Sequence, residues 1–550
     1  MHAEHAPIGA SLDGLPGYDD RLPDPAEVAE DALASRAARI AERAGQIDPA
    51  TLNATDRVTQ AVVIHTAGSL ADTISARMLE HTVSDTFTSP SHSLLVNLPL
   101  VPVSGAGQAE AYLRRLDAVP RYLTAVADRH RAGLAVGRSP VAHLVAAAVG
   151  SLDRYLADPE GDPLRRPGAD RNTLDMDFAG RRDRLLAEVV RPAVAEYRRI
   201  LADELAGRSR PPERPGLCWV PDGGPAYEAL VRVQTTTSRD ADDLHRTGLE
   251  VMAGLAGEYA DLGARVFGTA DVPTILDRLR NDPAMRWTGP EEILAASRGA
   301  VRRGEDAAPG WFGRLPEGRC EVRAVPDAAA PSSGVAYYTT ASLDGTRPGI
   351  FFVNTSQPAL RPRHTAEPVA YHEAVPGHHF QLALAQELTG LPLLRRLTTI
   401  NAYVEGWALY AERLADEMGL YSSDLARLGM VSEDACRAGR LVVDTGLHAH
   451  GWSRQRAVDY LRGNTAMTDI EIEHEVDRYI AEPAQALSYM TGRLEIQRLR
   501  REAERRLGRR FDLRAFHDAV LGGGALPLPV LAGVIADWID AGAGASSGDE

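Results

Sequence analysis

The sequence predicts a mostly α-helical protein carrying one small β-sheet. Apolar residues recur at helical spacing over most of the chain, with acidic or hydroxyl residues ahead of them and glycines behind. Runs of β-formers bounded by Gly, Pro and Asp gather at 310–355. No internal repeat of fixed period is present, so a solenoid or propeller is not expected.

The elements follow in order. Residues 1–24 are rich in Gly, Pro and Asp and read as irregular. Asp24 and Pro25 open a first helix as cap and first-turn proline, with Val28, Leu33, Ala37, Ile40 and Ala44 on one face. Asp48 and Pro49 begin a helical stretch to about Met78. The segment 82–103 is less helical. Helices are expected at 107–117, 119–132 and 140–156, before a polar connection at 157–177. A long helix covers 182–206, and 207–216 reads as a linker. Helices follow at 227–236, at 238–264 (opened by Asp240 and Asp242) and at 290–303, where Glu291 and Glu292 favour the positive end of the helix dipole. Strands are expected at 321–325, 334–340 and 349–354. Helical patterns return at 380–389, 402–418, 423–450, 453–465, 469–480, 484–507, 513–521 and 529–541. The expected organisation is an irregular segment 1–24, a helical region 25–309, a catalytic region 310–541 and a disordered tail 542–550.

Composition narrows the function. The net charge is −16, lysine is absent, and arginine supplies all 60 positive charges. No basic run is available for nucleic acid. Lysine-dependent chemistry, such as a phosphate-binding loop or a Schiff base, is excluded. Cys218, Cys320 and Cys436 are odd in number and far apart, with neither metal spacing nor a disulfide framework. A reduced cytoplasm is expected. No apolar run approaches the roughly 20 residues of a membrane span, and the first residues lack a basic, then apolar, leader pattern. A monomer or homodimer without nucleic-acid or membrane partners is the expectation.

The chemistry is placed at Tyr371-His372-Glu373-Ala374-Val375-Pro376-Gly377-His378-His379, which holds three histidines and a carboxylate within eight positions. A second acidic cluster contains Glu405 and Glu412. Together they read as two histidine ligands, a general base (Glu373) and a carboxylate ligand (Glu405). A catalytic Zn2+ needs three protein ligands and an open position. The usual H-E-x-x-H motif sets its histidines four residues apart on one helical face. Here Pro376 stands where the second histidine would be. Six residues along a straight helix turn a side chain by about 120°, and seven carry it about 10 Å along the axis. Pro376-Gly377 is expected to bulge the helix and bring His378 into use. His379 stays as the other possibility. Glu412, two turns after Glu405, reads as a support for the site or as solvated.

The segments HEAVPGHH, EGWALYAE, DGTRPGIFFVN, LVVDTGLHAHGW and EPAQALSYMTG resemble the bacterial domain of unknown function 885 family. That family is grouped with zinc peptidases of the thermolysin and oligopeptidase clan (gluzincin-like metallopeptidases). The resemblance runs from about Ala336 to the C-terminus, with a looser match before it. It implies a large helical zinc-peptidase-like fold with a deep central cleft, and His372, Glu373, His378 and Glu405 at its centre. The separation of 27 positions between His378 and Glu405 resembles that in related peptidases. The resemblance also implies that strand 349–354 lies beside the metal with a free edge. A peptide could add to that edge, with Phe352 and Asn354 as substrate contacts; the alternative is an ordinary sheet strand.

A metallopeptidase also needs donors for the developing oxyanion. Tyr489 is the first candidate, His448 the second and His517 the third. Arg493, Arg440 and Arg347 are candidates for a substrate carboxylate. Asp444 is a candidate to orient a ligand histidine, and Trp407 and Tyr410 are expected in the core. The expected function is a zinc-dependent hydrolase of short peptides with Glu373 as general base. The alternatives are a metal-dependent amidase or hydrolase of a non-peptide small molecule and a non-catalytic, metal-free binding protein.

Overall fold

The computed structural model describes residues 1–167, 176–326, 330, 334–343 and 347–544. Of the expected disordered tail 542–550, residues 542–544 are instead the end of a helix and 545–550 lie outside these residues. Helix takes up 70% of the chain and strand 4%, so the sheet is a local insert in a helical body rather than a layer of its own.

The N-terminal part is built on α1 (Glu27–Gly45), α2 (Ala54–Ser75), α3 (Ala106–Ala135), α4 (Ala142–Ala157) and a rod, α5, made of Met176–Leu185, Leu186–Val190, Arg191–Ile200 and Leu201–Leu205. Residues 1–24 are not irregular throughout. Two short helices, His2–His5 and Pro7–Leu12, occupy their first half. Helices this short do not persist alone. Arg115, fully buried on α3, holds this segment by donating to Pro7 O, Ser11 Oγ, Tyr18 O and Arg21 O. The anchor lies about a hundred residues away, so no local pattern announces it. Helix α1 starts at Glu27, while Asp24 caps only the turn before it by accepting from Ala26 N.

The two helices expected at 107–117 and 119–132 are one. Helix α3 runs through Pro120 without a break. A mid-helix proline costs about 3 kcal/mol. Leu116, Val119, Leu123 and Val126 are buried on both sides of it, and each contributes about 1.5–3 kcal/mol. The apolar stripe therefore outweighs the proline.

Helices α6 (Gly223–Thr235), α7 (Ala241–Phe267), α8 (Val272–Asn281) and α9 (Pro290–Ala307) follow. The sequence pattern does not assign α8, although Asp271 caps it by accepting from Thr274 N and Ile275, Leu276 and Leu279 are buried. The sheet is β1 (Cys320–Ala324), β2 (Ala336–Thr339) and β3 (Gly349–Val353). Its order is β1-β3-β2, with β3 parallel to β1 and antiparallel to β2. The expected free edge on β3 is therefore absent, because both of its edges are paired. The cause is in the residues: Gly349, Ile350, Phe351 and Val353 are all buried, as suits a central strand.

The C-terminal part comprises α10 (Ala366–Glu373), α11 (His378–Glu387), α12 (Asn401–Glu417), α13 (Asp424–His448), α14 (Arg454–Asn464), α15 (Asp469–Ala481), α16 (Ser488–Leu507), α17 (Leu513–Leu521) and α18 (Leu528–Gly544). The cores cross position 310. Leu217, Tyr227 and Leu244 pack with Leu409, Leu441 and Met490, and Val62 packs with Trp407 and Ile535. No helix among the described residues is long and apolar enough to cross a membrane.

Helices α12 and α16 cross backbone to backbone. A Cβ on Gly492 would stand 1.7 Å from Ala402 O, and one on Gly406 would stand 2.5 Å from Gly492 Cα. Gly492→Ala is expected to destabilise the protein by about 1–3 kcal/mol through this overpacking. Gly463 on α14 has open space around its Cβ position, so Gly463→Ala should be neutral or stabilising. Paired melting curves check the sign: equal midpoints for the two variants would show that the crossing is not as tight as described.

Candidate metal centre

The expected bulge is instead a full break. Helix α10 ends at Glu373, Ala374–Gly377 turns with a cis Val375–Pro376 bond, and α11 restarts at His378. Only glycine fits at 377, where a Cβ would lie 1.9 Å from His372 O and 2.3 Å from Tyr371 O. Trp407 Nε1 on α12 donates to Pro376 O at 2.9 Å and pins the turn to the next helix. His372 thus sits on the last turn of one helix and His378 on the first turn of another.

The break brings three side chains together. His372, His378 and Glu405 offer ligand atoms that all lie within 4.8 Å of one another. Glu405 Oε2 is 3.5 Å from His372 Nε2 and 3.4 Å from His378 Nε2. The two imidazoles meet at 85° with ring centroids 4.7 Å apart. These separations are too long for good hydrogen bonds, and Glu405 Oε2 is buried without a hydrogen-bond partner. Glu412 takes the supporting role rather than a solvated one: its Oε1 is 2.8 Å from His372 Nδ1 and leaves Nε2 facing Glu405. Burial works against charge on His372, but the carboxylates of Glu405 and Glu412 on its two sides raise its pKa to about 9. Burial pushes the Glu405 pKa up, yet the two histidines hold it well below the usual carboxylate range.

The remaining candidates divide. Glu373 is half-buried at the end of α10, and its charge acts on His372. Tyr489 on α16 stacks on the His372 ring at 6.4 Å. Burial, then the charge of Glu405, raise its pKa. His379, though adjacent to His378, points away: Tyr338 Oη lies 3.0 Å from Nδ1 and Gly318 O lies 3.0 Å from Nε2.

His448 and His517 are not brought to this group. His448 accepts from Leu217 N and lies 2.9 Å from Tyr479 O. His517 is held between Trp311 O and Tyr410 Oη. Burial lowers both pKa values, to about 3 and about 4 respectively, as for packed neutral rings. Asp444 does not orient a ligand histidine, because it accepts from Tyr227 Oη and Ala484 N. Arg493 is taken by Asp434. Arg347 N donates to Ser342 Oγ in the loop before β3. Phe352 stacks on Tyr337 across the sheet at 5.1 Å. Asn354 is buried, with Nδ2 donating to Ala330 O and Gly334 O, so it clamps a loop. Trp407 and Tyr410 are core, as expected. Sequence reading missed the Glu475–Arg478 pair that flanks Arg440. Its i, i+3 spacing was visible, but nothing local tied it to Tyr489.

The electrostatics fix a pH dependence for the metal-free chain. A charged His372 contributes stability fully below its ordinary value of about 6.5, and that contribution is lost as pH rises through about 9. The melting midpoint in chelator should therefore fall between about pH 6.5 and 9, and His372→Gln should flatten this limb. A flat profile in the unaltered chain would mean that no imidazolium sits between the two carboxylates.

No curated protein matches the chain. A solved structure from Colwellia psychrerythraea, called a "putative lipoprotein", superposes with a TM-score of 0.90 at 26% identity over 98% of this chain and 97% of its own. A "putative lipoprotein of unknown function" from Shewanella oneidensis gives 0.74 at 18% identity over 97% of each chain and shares the fold. The family described as bacterial protein of unknown function (DUF885) matches residues 7–535, so the chain belongs to that family.

Proposed function

We propose that the chain is a zinc-dependent hydrolase, acting as a metallopeptidase on short peptides. One observation carries the reading: the 3.4 Å and 3.5 Å separations of Glu405 Oε2 from the two imidazole Nε2 atoms. Ligands about 2.0–2.1 Å from a tetrahedral ion stand roughly 3.3–3.5 Å apart. The spacing is too wide for hydrogen bonding and suits a shared cation. A buried carboxylate oxygen without a donor is costly unless a cation satisfies it. Glu412 behind His372 supplies the carboxylate–histidine support common at such sites. The relation to thermolysin-clan peptidases and a deep cleft belong to the same reading.

His372, His378 and Glu405 would hold the ion. Bound there, zinc would act as a Lewis acid and bring the pKa of water to about 7. Glu373, beside His372 and free of hydrogen-bond partners among the described residues, would take a proton from the attacking water. The water oxygen joins the carbonyl carbon, the C–N bond breaks, and Glu373 returns the proton to the leaving amine. Tyr489, protonated because burial and Glu405 raise its pKa, would donate to the oxyanion. A cytoplasmic setting is part of the reading and accords with the free thiols of Cys218, Cys320 and Cys436. The name lipoprotein on the two structural relatives points to a membrane surface instead, and fractionation of the producing cells separates the two.

Metal analysis by plasma mass spectrometry is the first test. About one zinc per chain is expected, lost in His372→Ala and Glu405→Ala and retained in His379→Ala. Glu373→Gln should keep the metal and lower peptide turnover about 10²- to 10⁴-fold. Zinc with turnover only on non-peptide amides would redirect the reading to an amidase. No zinc even after reconstitution would leave a binding protein.

A further inference from the structure

We propose that Arg440 is a positioning residue that holds Tyr489 in place over the metal ligand His372. This rests on the hydrolase reading above and assigns Arg440 a different role from carboxylate capture. The guanidinium of Arg440 on α13 lies 4.4 Å from the Tyr489 ring centroid, and the His372 ring stacks with Tyr489 at 6.4 Å. The tyrosine ring thus has both a cation and an imidazole beside it.

The cation is itself fixed. Arg440 is 7% exposed. Its Nε and Nη2 both donate to Glu475 Oε2, at 3.1 Å and 2.9 Å, and Nε also reaches Tyr479 Oη at 3.1 Å. Arg478 donates to the same carboxylate from Nε and Nη2, and its Nη1 donates to Gln485 Oε1 at 2.8 Å. Gln485 lies four residues before Tyr489, so the network holds both the ring and the turn that precedes it.

Glu475 answers two guanidiniums, and Arg440 Nη1 is buried without a hydrogen-bond partner among the described residues. A buried cation left partly unanswered finds its remaining partner in an electron-rich ring face. Tyr489 covers that face of Arg440, which argues against a substrate carboxylate reaching the guanidinium. An aromatic packed against a fixed cation loses little freedom when it donates, which is the preorganisation an oxyanion donor needs.

The test uses the full chain with metal bound. Arg440→Met, Arg440→Lys, Tyr489→Phe and the Arg440→Met/Tyr489→Phe double variant are compared on one peptide substrate. Arg440→Met is expected to lower kcat about 10- to 100-fold, in line with small misplacements of a catalytic group, with KM within about threefold. Arg440→Lys, which keeps a cation and can still pair with Glu475, should recover most of the loss. In the Tyr489→Phe background the Met change should cost little more, because the group it positions is gone. A rise in KM at constant kcat, or an equal loss with and without the Tyr489 hydroxyl, would overturn the proposal. A readout free of turnover covers failure of the hydrolase reading. 3-Fluorotyrosine placed at 489 should give one sharp ¹⁹F line that moves or broadens in Arg440→Met and is restored in Arg440→Lys. An unmoved line in Arg440→Met would also sink the proposal, whatever the activity.

Discussion

Everything at the candidate centre depends on a helix that stops. Two imidazoles six residues apart cannot face one point from a continuous α-helix, because the second is rotated by about 120°. The chain resolves this by ending α10 at Glu373 and restarting at His378. The turn between them is held from three sides. Gly377 packs against His372 O, Trp407 donates to Pro376 O, and Gly304 on α9 sits where a Cβ would lie 2.4 Å from Val375 O. A longer side chain at either glycine would move the turn and separate His372 from His378.

The sequence made the need for a disturbance legible, but not its form. Pro376-Gly377 pointed to a departure from helix, and a bulge and a break both satisfy that. Four of the capped helices were legible for a local reason. Asp240, Ser423, Ser453 and Thr468 each accept from a backbone N–H three residues on, and a cap needs only its own neighbours. Helix α8 was missed despite its local Asp271 cap, but two other failures have the opposite cause. Residues 2–12 are helical because Arg115 holds them, and α3 survives Pro120 because of what packs on either side of it. Neither fact is written near the residues concerned.

The histidines show the same division. His372 and His378 stood out by their spacing to Glu373 and Glu405, and the structure brings both to Glu405. His448 and His517 stood next to suggestive residues, yet each is occupied by backbone groups from distant segments, at Leu217, Tyr479 and Trp311. A lone buried histidine has two nitrogens to satisfy, and backbone carbonyls are the commonest means of doing so. Asp444 and Glu412 trade places for a similar reason. Asp444 sits in the more suggestive segment, but Tyr227 and Ala484 take its oxygens. Glu412 lies seven residues after Glu405, close enough to the same face of α12 to reach the far nitrogen of His372.

The crossing of α12 and α16 explains how residues from two distant segments share one point with the tolerance that chemistry requires. Glu405 immediately precedes Gly406, and Tyr489 lies three residues before Gly492. The two glycines let the helices meet at their backbones. Side chains that separate helices can change rotamer and let the axes drift, whereas backbone contact leaves no such freedom. The carboxylate and the tyrosine that flank His372 are therefore set by the least adjustable contact in this part of the molecule. Small, featureless residues beside the candidate ligands thus determine the geometry of the site.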